Sequence, residues 1–353
     1  MKIGIVTVHD SNNYGSFLQA YAIQKVLEEQ GHEVFFTRTR DKKLLKSIFI
    51  PKILQKRFLK HPLEILQQRK NGKEKRKAFL EDQKVFREID SKELEKMDLV
   101  ILGSDEIWNV QVPTFREDDF YGAGLEHVIA YAVSVGRAKK EEVFQYKKII
   151  ENIREIPDVL VRDSQTQKIV EGISGNMPEV VCDPTLLVDK SVFKSTFKSR
   201  TFFNEKYLLV YSYGIDRELR LKIEKFANEN SLKIVSACFY YPWMDYNIMC
   251  GPLEFCEIIQ RASYVITTTF HGTIFSILNE KQFVSFPASI KTNDLLIRLR
   301  LEQRMVDSTA SVQAISNCLK QDIIDYAKVN KKIADFREYS LKLLQDSIKR
   351  YGE

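Results

Sequence analysis

A chain of 353 residues is too long for one ordinary core and suits two domains. Its 44% apolar and 29% charged residues are those of a soluble globular protein. No apolar run approaches the ~18 residues of a bilayer span, Met1–Val8 shows no signal-peptide h-region, and the five scattered cysteines form no CxxC pair, which argues against a disulfide framework or a zinc site and for a reducing cytoplasm. The net charge of +6 is uneven: Lys42 to Lys77 holds thirteen Lys and Arg against Glu64 and Glu74, a local +11, so the remainder is net acidic.

In chain order, Lys2–Val8 reads as a strand, followed by the loop His9–Gly15 and a helix from Ser16 to Gln30, with Gly31 as its stop. His32–Thr37 is the next strand, completing a βαβ opening that carries neither GxGxxG nor a P-loop lysine. Asn13 and Gly15 suit a tight turn or a ligand contact. Residues 42–96 are expected to be mostly helical, broken by Pro51, Pro62 and Asn71-Gly72. Leu99–Leu102 is a continuous apolar run, hence a buried parallel strand, ending in Gly103-Ser104-Asp105-Glu106-Ile107-Trp108. Val128–Val133 ends likewise in Ser134-Val135-Gly136-Arg137. Ligands bind at such strand ends in open α/β sheets, so Gly103, Ser104, Asp105, Trp108, Ser134 and Arg137 are expected to line a cleft. A helix over Lys140–Asn152, the strand Val159–Val161, a helix after Ser164 and a strand at Val180–Cys182 complete a first unit, with a boundary after Pro184.

The pattern then repeats. Tyr207–Tyr211 is a strand, Asp216–Asn230 a helix, Lys233–Ala237 a strand, and Gly251-Pro252 opens another helix. Tyr264–Thr268 is β-branched and aromatic, as in a buried strand, and Thr273–Leu278 reads as a short apolar helix. His271 and Gly272 lie between them. A strand turning into a helix leaves unpaired N–H groups beyond the strand end. Gly272 would let a ligand approach that backbone, and His271 would give or take a proton beside it. Gln282–Phe286 is a strand, Leu295–Arg300 lies on a helix, and the tail from about Gln321 is helical.

Several stretches occur in a telling order: Asn13-Tyr14-Gly15, Leu102–Asn109, Tyr131–Gly136, Val161-Arg162-Asp163-Ser164, Cys182-Asp183-Pro184-Thr185-Leu186-Leu187 and Phe270-His271-Gly272-Thr273. Together they resemble the polysaccharide pyruvyl transferase family over roughly residues 1–300. The resemblance implies two Rossmann-like domains facing across a cleft, as in GT-B glycosyltransferases. The first would cover 1–185, with a basic helical insertion at about 42–96. The second would cover 186–320 and carry the Phe-His-Gly turn, with 321–353 as a helical tail. It further implies transfer of an enolpyruvyl unit from phosphoenolpyruvate onto two hydroxyls of a sugar in surface-polysaccharide synthesis, with no cofactor and no metal. His271 maps onto the family histidine, Arg162 onto a family arginine at a helix entry, and Asn13 with Gly15 onto the first glycine-rich turn; with Thr269, Gly272 and Thr273, Asn13, Gly15 and Arg162 are the expected donor contacts.

Two positions depart from the family. Thr269 stands where an arginine grips the donor, and Ser16 where an acid often stands. Losing a charge-assisted contact costs roughly 1.5–3 kcal/mol, so Arg162 and one or more of Arg137, Lys291 and Arg298 are expected to supply the charge. Alternatives are a glycosyltransferase using a nucleotide sugar and a non-catalytic subunit of an assembly complex. The Lys42–Lys77 stretch interleaves its charges with apolar residues, an arrangement suited to an anionic membrane surface, where a lipid-linked glycan acceptor would be presented, or to a domain-packing helix. No nucleic-acid partner is expected, since no aromatic-basic pattern recurs elsewhere.

Overall fold

Parallel strands with apolar residues on both faces need helices above and below, and the chain meets that need twice. The computed structural model describes residues 1–38, 62–194, 205–237, 239–286 and 289–352. Among them, twelve strands form two all-parallel sheets. The first contains β1 (Lys2–Val6), β2 (Glu33–Thr37), β3 (Glu88–Ile89), β4 (Leu99–Leu102), β5 (Val128–Val133), β6 (Asp158–Val161) and β7 (Glu179–Val180), in the order β3-β2-β1-β4-β5-β6-β7. The second contains β8 (Tyr207–Tyr211), β9 (Lys233–Ala237), β10 (Tyr246–Ile248), β11 (Tyr264–Thr267) and β12 (Gln282–Ser285), in the order β10-β9-β8-β11-β12. Chain order reverses between β1 and β4 in one sheet and between β8 and β11 in the other. These are the topological switch points at which doubly wound sheets leave a crevice.

The helices used below are α1 (Tyr14–Glu29), α2 (Pro62–Asp82), α3 (Lys147–Glu155), α4 (Ser164–Ser174), α5 (Arg217–Glu229), α6 (Pro252–Arg261), α7 (Phe270–Leu278), α8 (Ile290–Leu299), α9 (Val312–Lys320) and α10 (Tyr326–Lys349). Side-chain caps set several of their starts: Asn13 for α1, Asp163 for α4, Asp216 for α5 and Thr269 for α7 each accept an N–H of the first turn. None of the described helices is long and apolar enough to cross a membrane.

One apolar cluster runs from Ile3 and Phe17 of the first unit to Phe255 and Phe275 of the second, so the two sheets share a core. Tyr14 joins them: its hydroxyl donates to the Cys250 carbonyl at 2.7 Å, and its ring stacks on Phe79 and Phe255. Helix α10 returns to the first unit. There Ser340 Oγ accepts from Cys182 N at 3.0 Å, and Arg337 donates to the carbonyls of Leu186 and Val188.

The structure departs from the sequence reading in definite places. Helix α7 begins at Phe270, so His271 and Gly272 lie in its first turn rather than ahead of it. The helix expected over Lys140–Asn152 is interrupted, with a short helical turn at Lys140–Val143 before α3. Within the basic stretch, residues 42–61 lie outside the described residues. Helix α2 is not simply a solvated charged face: Lys75 is 4% exposed, and its ammonium lies 5.0–5.4 Å from the ring centroids of Phe239, Tyr14 and Phe79. The stretch after α2 adds the edge strand β3, which pairs with β2.

Candidate active site

The two switch points meet at His271. Strand β11 ends at Thr267. Thr269, in an extended conformation, caps α7 by accepting Gly272 N at 2.9 Å on its hydroxyl. A Cβ on Gly272 would lie 2.1 Å from Thr267 Oγ1 and 2.8 Å from Tyr211 Cδ1. The glycine therefore lets the helix start pack onto β8 and β11, which corrects the expectation that it opens the backbone to a ligand. From this turn the imidazole reaches the first unit and rests on Gly15, where a Cβ would fall 2.0 Å from His271 Nδ1. Gly15 N is held by Asn13 Oδ1 at 2.9 Å. The Asn13-Tyr14-Gly15 triplet thus supplies a cap, an aromatic anchor and a flat seat.

A charge network surrounds the ring. His271 Nε2 lies 3.5 Å from Asp183 Oδ2, an oxygen that also accepts from Arg162 Nη1 at 2.8 Å. The other Asp183 oxygen accepts from Thr185 N and Oγ1. Burial alone would raise the Asp183 carboxyl, but His271, Arg162 and Thr185 together hold it well below the usual carboxylate range. Arg162 is 5% exposed, makes an ion contact to Asp105 Oδ1 at 3.5 Å, and lies 5.1 Å from the Phe270 ring centroid. Burial would weaken its protonation, and Asp183 and Asp105 more than offset that. Its Nε and Nη2 find no hydrogen-bond acceptor among the described residues. Asp105 accepts from Ser16 Oγ at 2.6 Å; burial would raise its carboxyl, and Arg162, Lys291 and His271 hold it low. Lys291 pairs with Glu106 at 2.5 Å, with its ammonium 5.0 Å from the Phe270 centroid.

The sequence-predicted residues therefore separate into two groups. His271, Gly15, Asn13, Arg162, Ser104, Asp105, Thr269 and Gly272 converge, with Ser104 Oγ 3.4 Å from Arg162 Nη1. Gly103 lies at the same strand end with φ 109° and no room for a Cβ, which would sit 2.3 Å from the Tyr131 carbonyl. Trp108 does not line the cleft: it is 1% exposed, stacks on Tyr121, and donates to the Phe120 carbonyl. Thr273 is fully buried and spends its hydroxyl on the Thr269 carbonyl and Ser285 Oγ. Ser134 is likewise internal, donating to Asp163 and accepting from Gly136 N. Both are corrections with one cause: the polar groups close the backbone turns at the strand ends. Arg137 is exposed. Arg298 on α8 stacks 4.2 Å from the Phe336 centroid and shares a cavity of about 540 Å³ with Arg162, Asp183, Phe270 and Lys291. Sequence reasoning quoted Asp183 within a motif but did not single it out. Its local signals were Asp-Pro after a strand and Thr185 two residues on, whereas Arg162 and His271 come from elsewhere in the chain.

Residues 13–289 match the family described as polysaccharide pyruvyl transferase. No curated protein matches the sequence. Among solved structures, the UDP-GlcNAc 2-epimerase from Neisseria meningitidis bound to UDP-GlcNAc aligns with TM-score 0.56 and 10% identity, over 99% of this chain and 100% of its own. The S. aureus MnaA-UDP co-structure aligns with TM-score 0.55 and 13% identity, over 99% and 96%. The spinosyn rhamnosyltransferase SpnG complexed with spinosyn aglycone aligns with TM-score 0.50 and 11% identity, over 98% and 99%. These likenesses concern the fold, which is the GT-B arrangement of two Rossmann-like units.

Proposed function

Because the chain belongs to the polysaccharide pyruvyl transferase family, we propose that this transferase moves the enolpyruvyl unit of phosphoenolpyruvate onto two hydroxyls of a sugar. In the first step a proton goes to the methylene carbon of the donor, the first sugar oxygen bonds to C2, and the proton of that hydroxyl is taken up by a base. In the second, the bond between C2 and the bridging phosphate oxygen breaks, and inorganic phosphate leaves with the electron pair. The second sugar oxygen takes its place and gives up its proton. The product is a cyclic ketal.

The observation that carries this reading is Arg162. A buried guanidinium beside a histidine, held by Asp183 and Asp105 and with Nε lacking an acceptor among the described residues, suits a small dense anion. Arg162 and Lys291 are the groups we assign to the donor's carboxylate and phosphate in place of the family arginine at Thr269. We assign to His271 the proton transfers, a task an imidazole performs in either direction near neutrality. Asp183, 3.5 Å from Nε2, orients the ring. Ser16 and Asp105 hold the rear of the site together at 2.6 Å.

The test is a thermal-unfolding panel. Protection by phosphoenolpyruvate, but not by UDP or GDP, is the expected result. Protection by a nucleoside diphosphate alone would replace this reading with glycosyl transfer from a nucleotide sugar. Stabilisation by neither, with stable co-purification of other assembly proteins, would point to a non-catalytic subunit.

A further inference from the structure

Beyond Arg162 the cavity does not end. A second space of about 480 Å³ continues from it, and Gln167, Val180, Arg298, Lys332 and Phe336 line both. Arg162, Asp183, Phe270 and Lys291 line the first space alone. Arg298 and Lys332 therefore stand at the junction, on the side away from the donor groups.

Charge is the guide to what fits there. Five basic residues line the first space against two acids. Both acids are engaged: Asp183 with Arg162 and Thr185, and Asp294 as the acceptor of Ser164 N at 2.7 Å. Of the five cations, Arg162 is balanced by Asp183 and Asp105, and Lys291 by Glu106. Arg298, Arg300 and Lys332 have no ion pair among the described residues. In the second space Glu179 accepts from the Tyr339 hydroxyl, and Asp335 is exposed. Arg298 and Lys332 line both spaces without an ion pair to Glu179, Asp335 or Asp294 among the described residues, so an anion between them can take both charges. Arg298 is also pre-oriented, its guanidinium laid over the buried Phe336 ring at 4.2 Å, so little ordering cost remains when a ligand arrives.

We infer that the Arg298–Lys332 junction binds an oxyanion carried by the acceptor, so that the acceptor sugar bears a carboxylate or a phosphate away from the hydroxyls that react. The word acceptor rests on the pyruvyl-transfer reading; the second oxyanion site does not. A three-carbon donor held at Arg162 and Lys291 fills only part of the first space, and Arg298 and Lys332 line the part that continues beyond it.

Isothermal titration of the full chain tests this with defined probes. Phosphoenolpyruvate is titrated first into wild type and R298S/K332S. Inorganic phosphate and D-glucuronate are then titrated into the donor-saturated proteins. The expected result is a second saturable event in wild type with one of the two probes, weakened about tenfold or more in R298S/K332S. Affinity for phosphoenolpyruvate stays unchanged, and R298K/K332R restores part of the second event. Which probe binds tells phosphate from carboxylate. Absence of a second event with either probe overturns the proposal. So does a loss of phosphoenolpyruvate affinity in R298S/K332S, which would assign these cations to the donor. If phosphoenolpyruvate fails to bind wild type, the donor reading falls. The probes titrated without it then decide the second site by the same comparison.

Discussion

Asp82 offers a perturbation whose size and sign follow from the structure. It ends α2, is 7% exposed, and accepts Leu253 N in the first turn of α6 at 3.2 Å, bridging the two units. A Cβ on Gly251 would lie 2.4 Å from the same carboxyl oxygen. Burial pushes the carboxyl from 3.8 up to about 6; the Leu253 N–H opposes this, while Glu254 and Glu81 add repulsion. A folded-state value above the unfolded one means that the folded protein binds this proton more tightly. The stabilisation is fully present below about 3.8 and is lost as pH rises through about 6, so at pH 7 and above the ionised carboxylate costs stability. A rise of about two units is at most ~3 kcal/mol, and residual solvation reduces it to roughly 1–2 kcal/mol. In D82N an amide oxygen still accepts from Leu253, and the charge is gone. Urea unfolding at pH 5 and pH 8 checks the expectation: D82N exceeds wild type by roughly 1–2 kcal/mol at pH 8, and the gap narrows at pH 5. A D82N protein less stable than wild type at pH 8 would show that the carboxylate serves the α6 terminus better than burial harms it, and would refute the reasoning.

His271→Ala is expected to abolish turnover while shifting the urea midpoint little; a wild-type rate with phosphoenolpyruvate would remove the proton-transfer role. Gly15→Ala places a methyl where the imidazole lies, and displacing a catalytic group by about 1 Å costs on the order of 10²-fold in rate. An unchanged kcat would mean that the ring need not rest there. Asp183→Asn removes the charge shared by Arg162 and His271, and breaking a buried pair costs about 3–5 kcal/mol, read as a lowered unfolding midpoint together with weaker phosphoenolpyruvate binding. For the basic stretch, co-sedimentation with anionic rather than neutral vesicles, falling with added salt, is expected at roughly 1 kcal/mol per basic side chain near the surface. Equal partitioning to both lipids would end the membrane proposal, and loss on changing Lys52, Lys56, Arg57 and Lys60 to Ser would place the effect.

The central strands were legible where burial on both faces makes them largely apolar. Leu99–Leu102, Val128–Val133, Tyr207–Tyr211 and Lys233–Ala237 run as read. Two of the edge strands were not. Glu88–Ile89 and Tyr246–Ile248 are short and only partly buried, so neither carries a pattern that sets it apart from a loop. The start of α7 was misplaced for a specific reason: Thr267, Thr268 and Thr269 look like one β-branched run, yet Thr269 is a cap whose hydroxyl takes the Gly272 N–H. The strand-end rule found Ser104 and Asp105 but also selected Trp108. The chain turns inward after Glu106 and buries that indole beside Tyr121, a choice made by packing rather than by local pattern.

What no local pattern could show is that each charged partner around His271 comes from the opposite unit. Asp183 and Gly15 belong to the first unit and meet His271 of the second; Lys291 of the second pairs with Glu106 of the first; Asp294 of the second holds Ser164 N of the first. A hydrogen bond or ion pair of this kind forms only at one relative placement of the two sheets. That placement is fixed by groups with no share in the chemistry: Tyr14 reaching Cys250, Asp82 reaching Leu253, and Arg337 of α10 reaching Leu186 and Val188. The site is therefore a property of the interface, and substitutions at Tyr14 or Arg337 should act on His271 and Arg162 together rather than on either alone.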